Sequence, residues 1–360
     1  MNIAITGGGT GGHLSIAKSI KEELNKRDIK PIFIGSTYGQ DKEWFNDDEG
    51  FSEKYFFETS GVVNQKYLGK VIALFKILNA TFKCRNIFKN HKVDAVFSVG
   101  GYSSAPASFA SVTFRKKLFI HEQNAVLGRL NRLLLNKSEV IFSSYLESSP
   151  VCDYPVREIF FKDARVREEI KTIIFLGGSQ GANAINEFAM KIAPTLKEKN
   201  IKIIHQCGKK DKKKLSEFYK NEKIDCDLFA FSSNLPQKIK EADFAICRAG
   251  AGTLWELCAS KLPALYVPYP YAAGNHQFFN ADFLAKKGLS FIVNQKELNN
   301  YELNQIFDCD IKTLSSGLGE LISQNGAKSI VDYMFEMGSV TLVVCRGRHK
   351  NSWLKSNHRN

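Results

Sequence analysis

The sequence predicts an α/β protein built from two Rossmann-like domains that face each other across a deep cleft. Three observations carry that expectation. Short apolar runs alternate with helical-period stretches along most of the 360 residues, the pattern of parallel sheets covered by helices. Each half opens on an apolar run, a glycine-rich turn and a helix, at residues 2–24 and again at 172–196. Between the halves the strand pattern breaks, and a charged stretch runs to Glu169. The domains expected are residues 1–156 and 157–325, with a basic tail, 338–360, outside the fold.

Residues 2–6 read as the first strand, and Ile16, Ala17, Ile20 and Leu24 mark one face of the helix after it. The turn between them is Gly7-Gly-Gly-Thr-Gly-Gly-His13. Such a turn presents free N–H groups at the positive end of a helix dipole, and no Cβ keeps a ligand from the main chain. Gly7-x-Gly9-x-x-Gly12 meets the dinucleotide spacing. The second strand, 31–35, however, is followed by Ser36 and Thr37 instead of the acid that holds a ribose, and the first carboxylate is Asp41. Five glycines exceed what a packing turn needs, so an anion or sugar-ring site is the better reading. Further strands follow at 54–59, 94–100, 118–121 and 140–142, with helices from about 65, 104 and 127.

The helix expected over 65–90 is unusual. No acidic residue occurs from Val62 to Lys92, whereas Lys66, Lys70, Lys76, Lys83, Arg85 and Lys89 are basic. Tyr67, Leu68, Val71, Ile72, Leu74, Phe75, Leu78 and Phe82 are among more apolar residues than one buried stripe uses. One face packs on the sheet. The other has the composition of a membrane-surface element.

In the second half, strands are expected at 172–176, 201–205, 228–231, 244–246, 264–267 and 289–293. The helix from Ala327 ends at Gly338, read as a left-handed cap. The tail beyond it carries five basic residues and no acid.

Composition narrows the class. With 44% hydrophobic and 24% charged residues, each domain has enough apolar material for its own core. The chain starts directly on a strand, so no export signal is expected, and no apolar run spans a bilayer. The eight cysteines lack any Cys-x-x-Cys pair and read as reduced thiols of a cytoplasmic protein. A net charge of +13 calls for an anionic partner. No recognisable nucleic-acid module accompanies it, so an anionic membrane is preferred over nucleic acid.

Four further clusters sit where a sheet's carboxyl edge opens. They are Gly100-Gly101-Tyr102, His121-Glu122-Gln123-Asn124, the stretch from Arg248 through Ala251 and Thr253 to Glu256, and Gly274-Asn275-His276-Gln277 with Asn280. For the third, Thr253-x-x-Glu256 reads as a capping box, and spacing alone favours that over a diphosphate and ribose site. The fourth places amide and imidazole donors at a helix start, as sugar hydroxyls require.

Taken together and in order, the glycine loop 7–13, Gly100-Gly-Tyr102, His121-Glu-Gln-Asn124, Tyr154-Pro-Val-Arg157, Gly177-Gly-Ser-Gln-Gly181, the Arg248 to Glu256 segment and Asn275-His-Gln277 resemble the MurG family of bacterial cell-wall N-acetylglucosaminyltransferases. The likeness runs from residue 1 to about 336. It implies the GT-B glycosyltransferase fold, with a last helix, about 326–337, crossing back onto the first domain. It implies transfer from UDP-N-acetylglucosamine to lipid I, giving lipid II, at the cytoplasmic face of the membrane. Other cell-wall synthesis proteins are implied as partners.

The resemblance also implies site roles. Glu256 holds the ribose; Ser179, Ala251 and Thr253 take the diphosphate; Arg248 lies near the nucleotide. His276, Gln277 and Asn124 reach the sugar, Arg157 sits in the interdomain cleft, and Thr10, Gly11 and Gly12 approach the donor from the first domain. Gly9, Thr10, His13, Gly101, Tyr102, His121 and Glu122 meet the lipid-linked acceptor, its pyrophosphate on the loop N–H groups. Tyr67, Leu68, Ile72, Phe75 and Leu78, with Lys70 and Lys76, rest on anionic inner-leaflet lipids. This chain departs from some members at Gly252 and His276.

Inverting transfer to a hydroxyl needs a base and stabilisation of the departing UDP. His13 is the candidate base, since a helix N-terminus disfavours imidazolium; a purely hydrogen-bonding role is its rival. The second glycine loop and helix dipole answer the leaving-group charge, so no metal or other cofactor is expected, stimulation by a divalent cation aside. An NAD-linked oxidoreductase is disfavoured by the missing ribose acid. A UDP-N-acetylglucosamine epimerase, or another UDP-sugar enzyme of this fold, shares architecture and donor but has no use for a membrane face. A non-catalytic membrane adaptor does not explain three glycine loops aimed at one cleft.

Overall fold

The computed structural model describes residues 1–61, 67–178, 181–232 and 234–339. The first domain holds strands β1 (Ile3–Thr6), β2 (Ile32–Ser36), β3 (Glu53–Phe57), β4 (Ala95–Ser98), β5 (Lys117–His121) and β6 (Val140–Phe142). They form one parallel sheet in the order β3-β2-β1-β4-β5-β6. The second domain holds β7 (Thr172–Leu176), β8 (Lys202–Gln206), β9 (Cys226–Phe229), β10 (Phe244–Cys247), β11 (Ala264–Tyr266) and β12 (Phe291–Ile292). Their parallel order is β12-β11-β10-β7-β8-β9. β1, β4 and β10 are buried along their whole length, as strands covered by helices on both faces must be. In each sheet the order reverses beside the first strand, between β1 and β4 and between β7 and β10, and a crevice opens at the carboxyl ends there.

Strands expected at 54–59, 94–100 and 289–293 are shorter, at Glu53–Phe57, Ala95–Ser98 and Phe291–Ile292, and two further departures from the sequence expectation have a physical reason. β9 starts two residues earlier than read from the apolar run, and Phe231 is exposed beyond its end. As an edge strand it tolerates Asp227, whose carboxylate pairs with Lys238. Gly338 does not stop the last helix, which runs Gly326–Ser339. Lys117 Nζ, 2.8 Å from the Met337 carbonyl, supplies a donor at that end instead of a left-handed cap. The strand-like run 340–344 and the rest of the tail lie outside the described residues.

The last helix packs on the first domain through Ala327, Ile330, Val331 and Met334, all fully buried. Tyr333 stands edge-on to Phe142 at 5.6 Å, and Arg27 pairs with Asp332 at 2.8 Å. The chain therefore crosses between domains twice, and the crossings touch. Gly326 N–H donates to the Tyr154 carbonyl at 3.2 Å, and Gln324 donates to Asp153 at 3.0 Å. A Cβ on Gly326 would collide with the Asp153 carbonyl.

The helix Tyr67–Asn90 buries Ala73, Ile77, Ala80, Cys84, Ile87 and Phe88, its inner face meeting the helix Ala105–Thr113. Its other face is bare: Tyr67 is 84%, Leu68 78% and Phe75 71% exposed, with Val71, Ile72, Leu74, Leu78 and Phe82 exposed beside them. Lys70, Lys83, Arg85 and Lys89 are exposed around this patch, while Lys76 reaches Glu58 at 3.6 Å. Contiguous apolar exposure of this kind marks an interaction surface. Among the described residues no helix is long and apolar enough to cross a membrane.

Replacing Gly326 with Ala is expected to lower unfolding stability by about 1–3 kcal/mol through overpacking, read as a lower urea midpoint. A parental midpoint would mean that the two crossings do not depend on that close approach.

Candidate active site

At the first switch point, Gly7, Gly8 and Gly9 all adopt positive φ (121°, 155° and 80°), a region that side chains avoid. Space demands glycine as well: a Cβ on Gly7 would lie 2.5 Å from the Gly100 carbonyl, and one on Gly9 2.7 Å from the Tyr102 ring. The loop is held from below by Asp41, which is fully buried and accepts from Gly9 N–H at 2.5 Å and Ser36 N–H at 2.9 Å. Burial pushes its pKa up, while those N–H groups and the Ser103 hydroxyl favour the carboxylate. Gly8 N–H is also taken, by the Gly100 carbonyl at 3.3 Å. The expectation that the whole loop offers free N–H groups is thus corrected. The donors left without an intrahelical partner are those opening the helix Gly11–Asn25, where Thr10 makes no side-chain cap.

His13 stands in the first turn of that helix, half-buried. Its Nδ1 lies 2.9 Å from Thr10 Oγ1 and its Nε2 2.9 Å from the Gln123 amide nitrogen. An amide nitrogen only donates, so Nε2 accepts and the ring proton sits on Nδ1. Burial, and the His276 imidazole across the cleft, push its pKa down to about 4, leaving it neutral. His121 and Glu122, expected at the acceptor surface, are buried behind it instead. His121 is 1% exposed, edge-on to Tyr154 at 5.5 Å, with its pKa pushed down to about 3 by burial. Glu122 accepts from Asn124 N–H, Gly128 N–H and the Asn131 amide at 2.8–3.0 Å, shaping the loop that presents Gln123 and Asn124. Gly101 and Tyr102 stay at the rim, half-buried.

At the second switch point a cavity of about 280 Å³ is lined by Gly177, Gly178, Gln206, Arg248, Gly250, Thr253 and Gln277, among others. Arg248 donates to the Val267 carbonyl at 3.0 Å and to Gln295 at 2.7 Å, and lies over the Tyr269 ring. Gln277 accepts from Tyr269 N–H at 2.9 Å. Ser179 lies outside the described residues.

The capping-box reading is overturned. The helix is Ala251–Ala259 with Gly250 at its N-cap and no side-chain cap. Thr253 is therefore the third helical residue, and Glu256, one turn on, shares its face. Ala251 contributes its N–H at the uncapped end. Burial raises the Glu256 carboxyl to about 7, against the pull of the Arg157 guanidinium.

The two halves meet closely. A Cβ on Gly252 would lie 3.8 Å from Gly12 Cα of the other domain. Asn280, fully buried, accepts from Ala125 N–H and donates to Asn124 of the first domain. It is thus occupied by protein and not free for a sugar hydroxyl. Tyr154 and Trp255 stack at 5.5 Å and 14°, and Trp255 Nε1 donates to the Tyr145 hydroxyl at 3.1 Å. Sequence reasoning missed Asp41, judged too late for a ribose acid, and the supporting role of Gln123. The first carboxylate after the second strand, close to a glycine-rich turn, was the available signal for Asp41.

No cluster of three His, Cys, Asp or Glu among the described residues has metal-site geometry. The chain's Asp-x-Asp spacings are used elsewhere, Asp227 on Lys238 and Asp310 capping the helix Ile311–Leu321 at Thr313 N–H, 3.1 Å.

Two facing Rossmann-like domains with a cavity at one switch point and an uncapped glycine-loop helix at the other make up the GT-B architecture, and the family matches make the chain a glycosyltransferase. Residues 3–143 match the N-terminal domain, and residues 172–316 the C-terminal domain, of glycosyltransferase family 28. The chain is 53% identical over 337 residues, 93% of its length and 98% of the relative's, to the UDP-N-acetylglucosamine–N-acetylmuramyl-(pentapeptide) pyrophosphoryl-undecaprenol N-acetylglucosamine transferase of Campylobacter hominis. It is 28% identical to MurG of Acinetobacter baumannii, with a TM-score of 0.75 covering 93% of this chain and 99% of that one. It belongs to that N-acetylglucosamine transferase family. A UDP-N-acetylglucosamine 2-epimerase from Neisseria meningitidis, at 12% identity and a TM-score of 0.60 over 93% of this chain and all of that one, shares the fold alone.

The buried histidines set an acid limit. His13, His121 and His205 have native pKa values pushed down to about 4, 3 and 4 by burial, against about 6.5 when unfolded. Below 6.5 the unfolded chain binds protons that the native state refuses, so stability is full above that pH and falls on acidification towards 4. The urea midpoint, followed from pH 7.5 to 4.5, is expected to drop, and less steeply in His205→Gln. Equal slopes in parent and variant would show that His205 is not held neutral.

Proposed function

We propose that this chain transfers N-acetylglucosamine from UDP-N-acetylglucosamine to the 4-hydroxyl of the N-acetylmuramoyl(pentapeptide) unit of undecaprenyl-pyrophosphate lipid I, giving lipid II with inversion. The observation that carries the reading is the cavity at the second switch point, lined by Gly177, Arg248, Thr253 and Gln277, with Glu256 one turn beyond Thr253 on the same helix. Glu256 accepts from the ribose diol, and Thr253, Ala251 N–H and Ser179 receive the diphosphate. Arg248 bounds the nucleotide, and Gln277, His276 and Asn124 reach the sugar. Gly9, Thr10 and Tyr102, with the N–H groups of Gly11 and Gly12, meet the acceptor's pyrophosphate.

In the transfer, the acceptor oxygen attacks the sugar's anomeric carbon as the bond to the UDP oxygen breaks. The hydroxyl proton passes to His13 Nε2, which first gives up the Gln123 amide. The charge on departing UDP meets the uncapped N-terminus of the helix Ala251–Ala259, so no bound metal is required. Anionic phosphates near His13 raise its basicity from the low value of the empty cleft.

Radiolabelled transfer to a short-chain lipid I analogue tests this. The parent is expected to give acceptor-dependent product. Glu256→Ala is expected to weaken UDP binding by tenfold or more, the loss of charged hydrogen bonds worth about 1.5–3 kcal/mol. His13→Ala is expected to keep UDP affinity and lose about 10²-fold or more in kcat. Near-parental kcat in His13→Ala would leave that residue a hydrogen-bonding role only.

The exposed face of Tyr67–Asn90 is proposed to rest on the anionic cytoplasmic leaflet, Tyr67, Leu68, Ile72, Phe75 and Leu78 entering the interface and Lys70 meeting headgroups. Sedimentation with vesicles containing anionic lipid is expected to fall about tenfold for the double change Leu68→Ser and Phe75→Ser, and to weaken with salt. Unchanged sedimentation would remove this face from membrane contact.

A further inference from the structure

Asn280 lies at the meeting of three segments that carry the reaction. It is fully buried. Its Oδ1 accepts from Ala125 N–H at 2.8 Å, while its Nδ2 donates to Asn124 Oδ1 at 3.2 Å and to the Ala249 carbonyl at 3.1 Å. The amide has one workable orientation here. Reversed, its NH2 would face the Ala125 N–H, and its oxygen would face two acceptors. Ala125 and Asn124 adjoin Gln123, which holds His13 Nε2. Ala249 sits between Arg248 and Gly250 at the edge of the cavity, and Gln277, one turn earlier on the same helix, lines that cavity.

We propose that Asn280 is a positioning residue for the transfer, fixing the register of the two domains so that His13 faces the sugar held by the second domain. Sliding the domains apart breaks both bonds to the first domain and exposes a buried amide and a buried N–H. A smaller slip that keeps them buried leaves both groups without partners, which costs more than the net worth of the bonds. The bond to Ala249 stays within the second domain, so the cavity keeps its shape when the other two are lost. This role rests on the transferase reading above.

The test uses the full chain in three forms: parent, Asn280→Ala and Asn280→Asp. Expected for Asn280→Ala are UDP affinity within about twofold of the parent by calorimetry, and a fall of about tenfold or more in kcat for transfer. The radius of gyration in solution scattering should increase. The side chain introduced by Asn280→Asp is isosteric but, ionised, has no donor for Asn124 and Ala249. Protonated, it regains one. The activity of Asn280→Asp relative to the parent should therefore rise as pH falls from 8 to 6, which a purely structural loss does not produce. Parental kcat in both variants, or UDP affinity lost in proportion to kcat, overturns the proposal; the second result makes Asn280 part of the donor cavity. If the parent itself binds UDP without transferring, the functional reading has failed. The scattering then decides this one alone, and an unchanged radius of gyration overturns it.

Discussion

The packing of Trp255 between the domains is the constraint on which the rest of the structure depends. It is 2% exposed, stacked on Tyr154 of the interdomain crossing and hydrogen-bonded to Tyr145 of the first domain. Phe283 closes the group at 5.0 Å from Tyr145. Aromatic contacts of this kind combine a large buried area with a preferred geometry, so they set an angle between domains as well as a contact. Glu256 follows Trp255 directly, and His121 meets Tyr154 edge-on. The wedge that joins the domains therefore touches residues on both sides of the domain boundary.

Each side of the cleft is built by close approach of backbone to backbone. Gly101 has no room for a Cβ against the Gly8 carbonyl, nor Gly181 against that of Cys207. Loops pressed this tightly have few arrangements available, which keeps helix N-termini aimed at the cleft. Asp41 anchors the first loop from below. It ties one loop N–H, that of Gly9, to the end of β2 at Ser36 and leaves the helix end to meet an anion.

Electrostatics then separates the roles of the two sides. Burial holds the His13 imidazole neutral, and it lifts the Glu256 carboxyl to about 7. The basic, apolar helix face lies apart from this chemistry, a surface property of one helix that leaves its buried face free to pack on the domain.

Alternation, glycine turns and the order of the motifs determined the fold class and the family from the sequence alone, because these are local patterns whose physics needs only neighbours along the chain. The apolar surplus of residues 67–82 likewise foretold an exposed face. What the sequence left open depended on contacts between residues far apart in the chain. Thr253-x-x-Glu256 spells a cap, and only the start of the helix at Ala251 put both residues inside it, with Gly250 at the cap. His121 and Glu122 read as site residues, and only packing buried them. Asn280 read as a sugar ligand, and only the meeting of the two domains, which brings it to Ala125, 155 residues away in sequence, gave its amide to the protein. Spacing fixes which face a side chain takes; tertiary structure decides what stands opposite it.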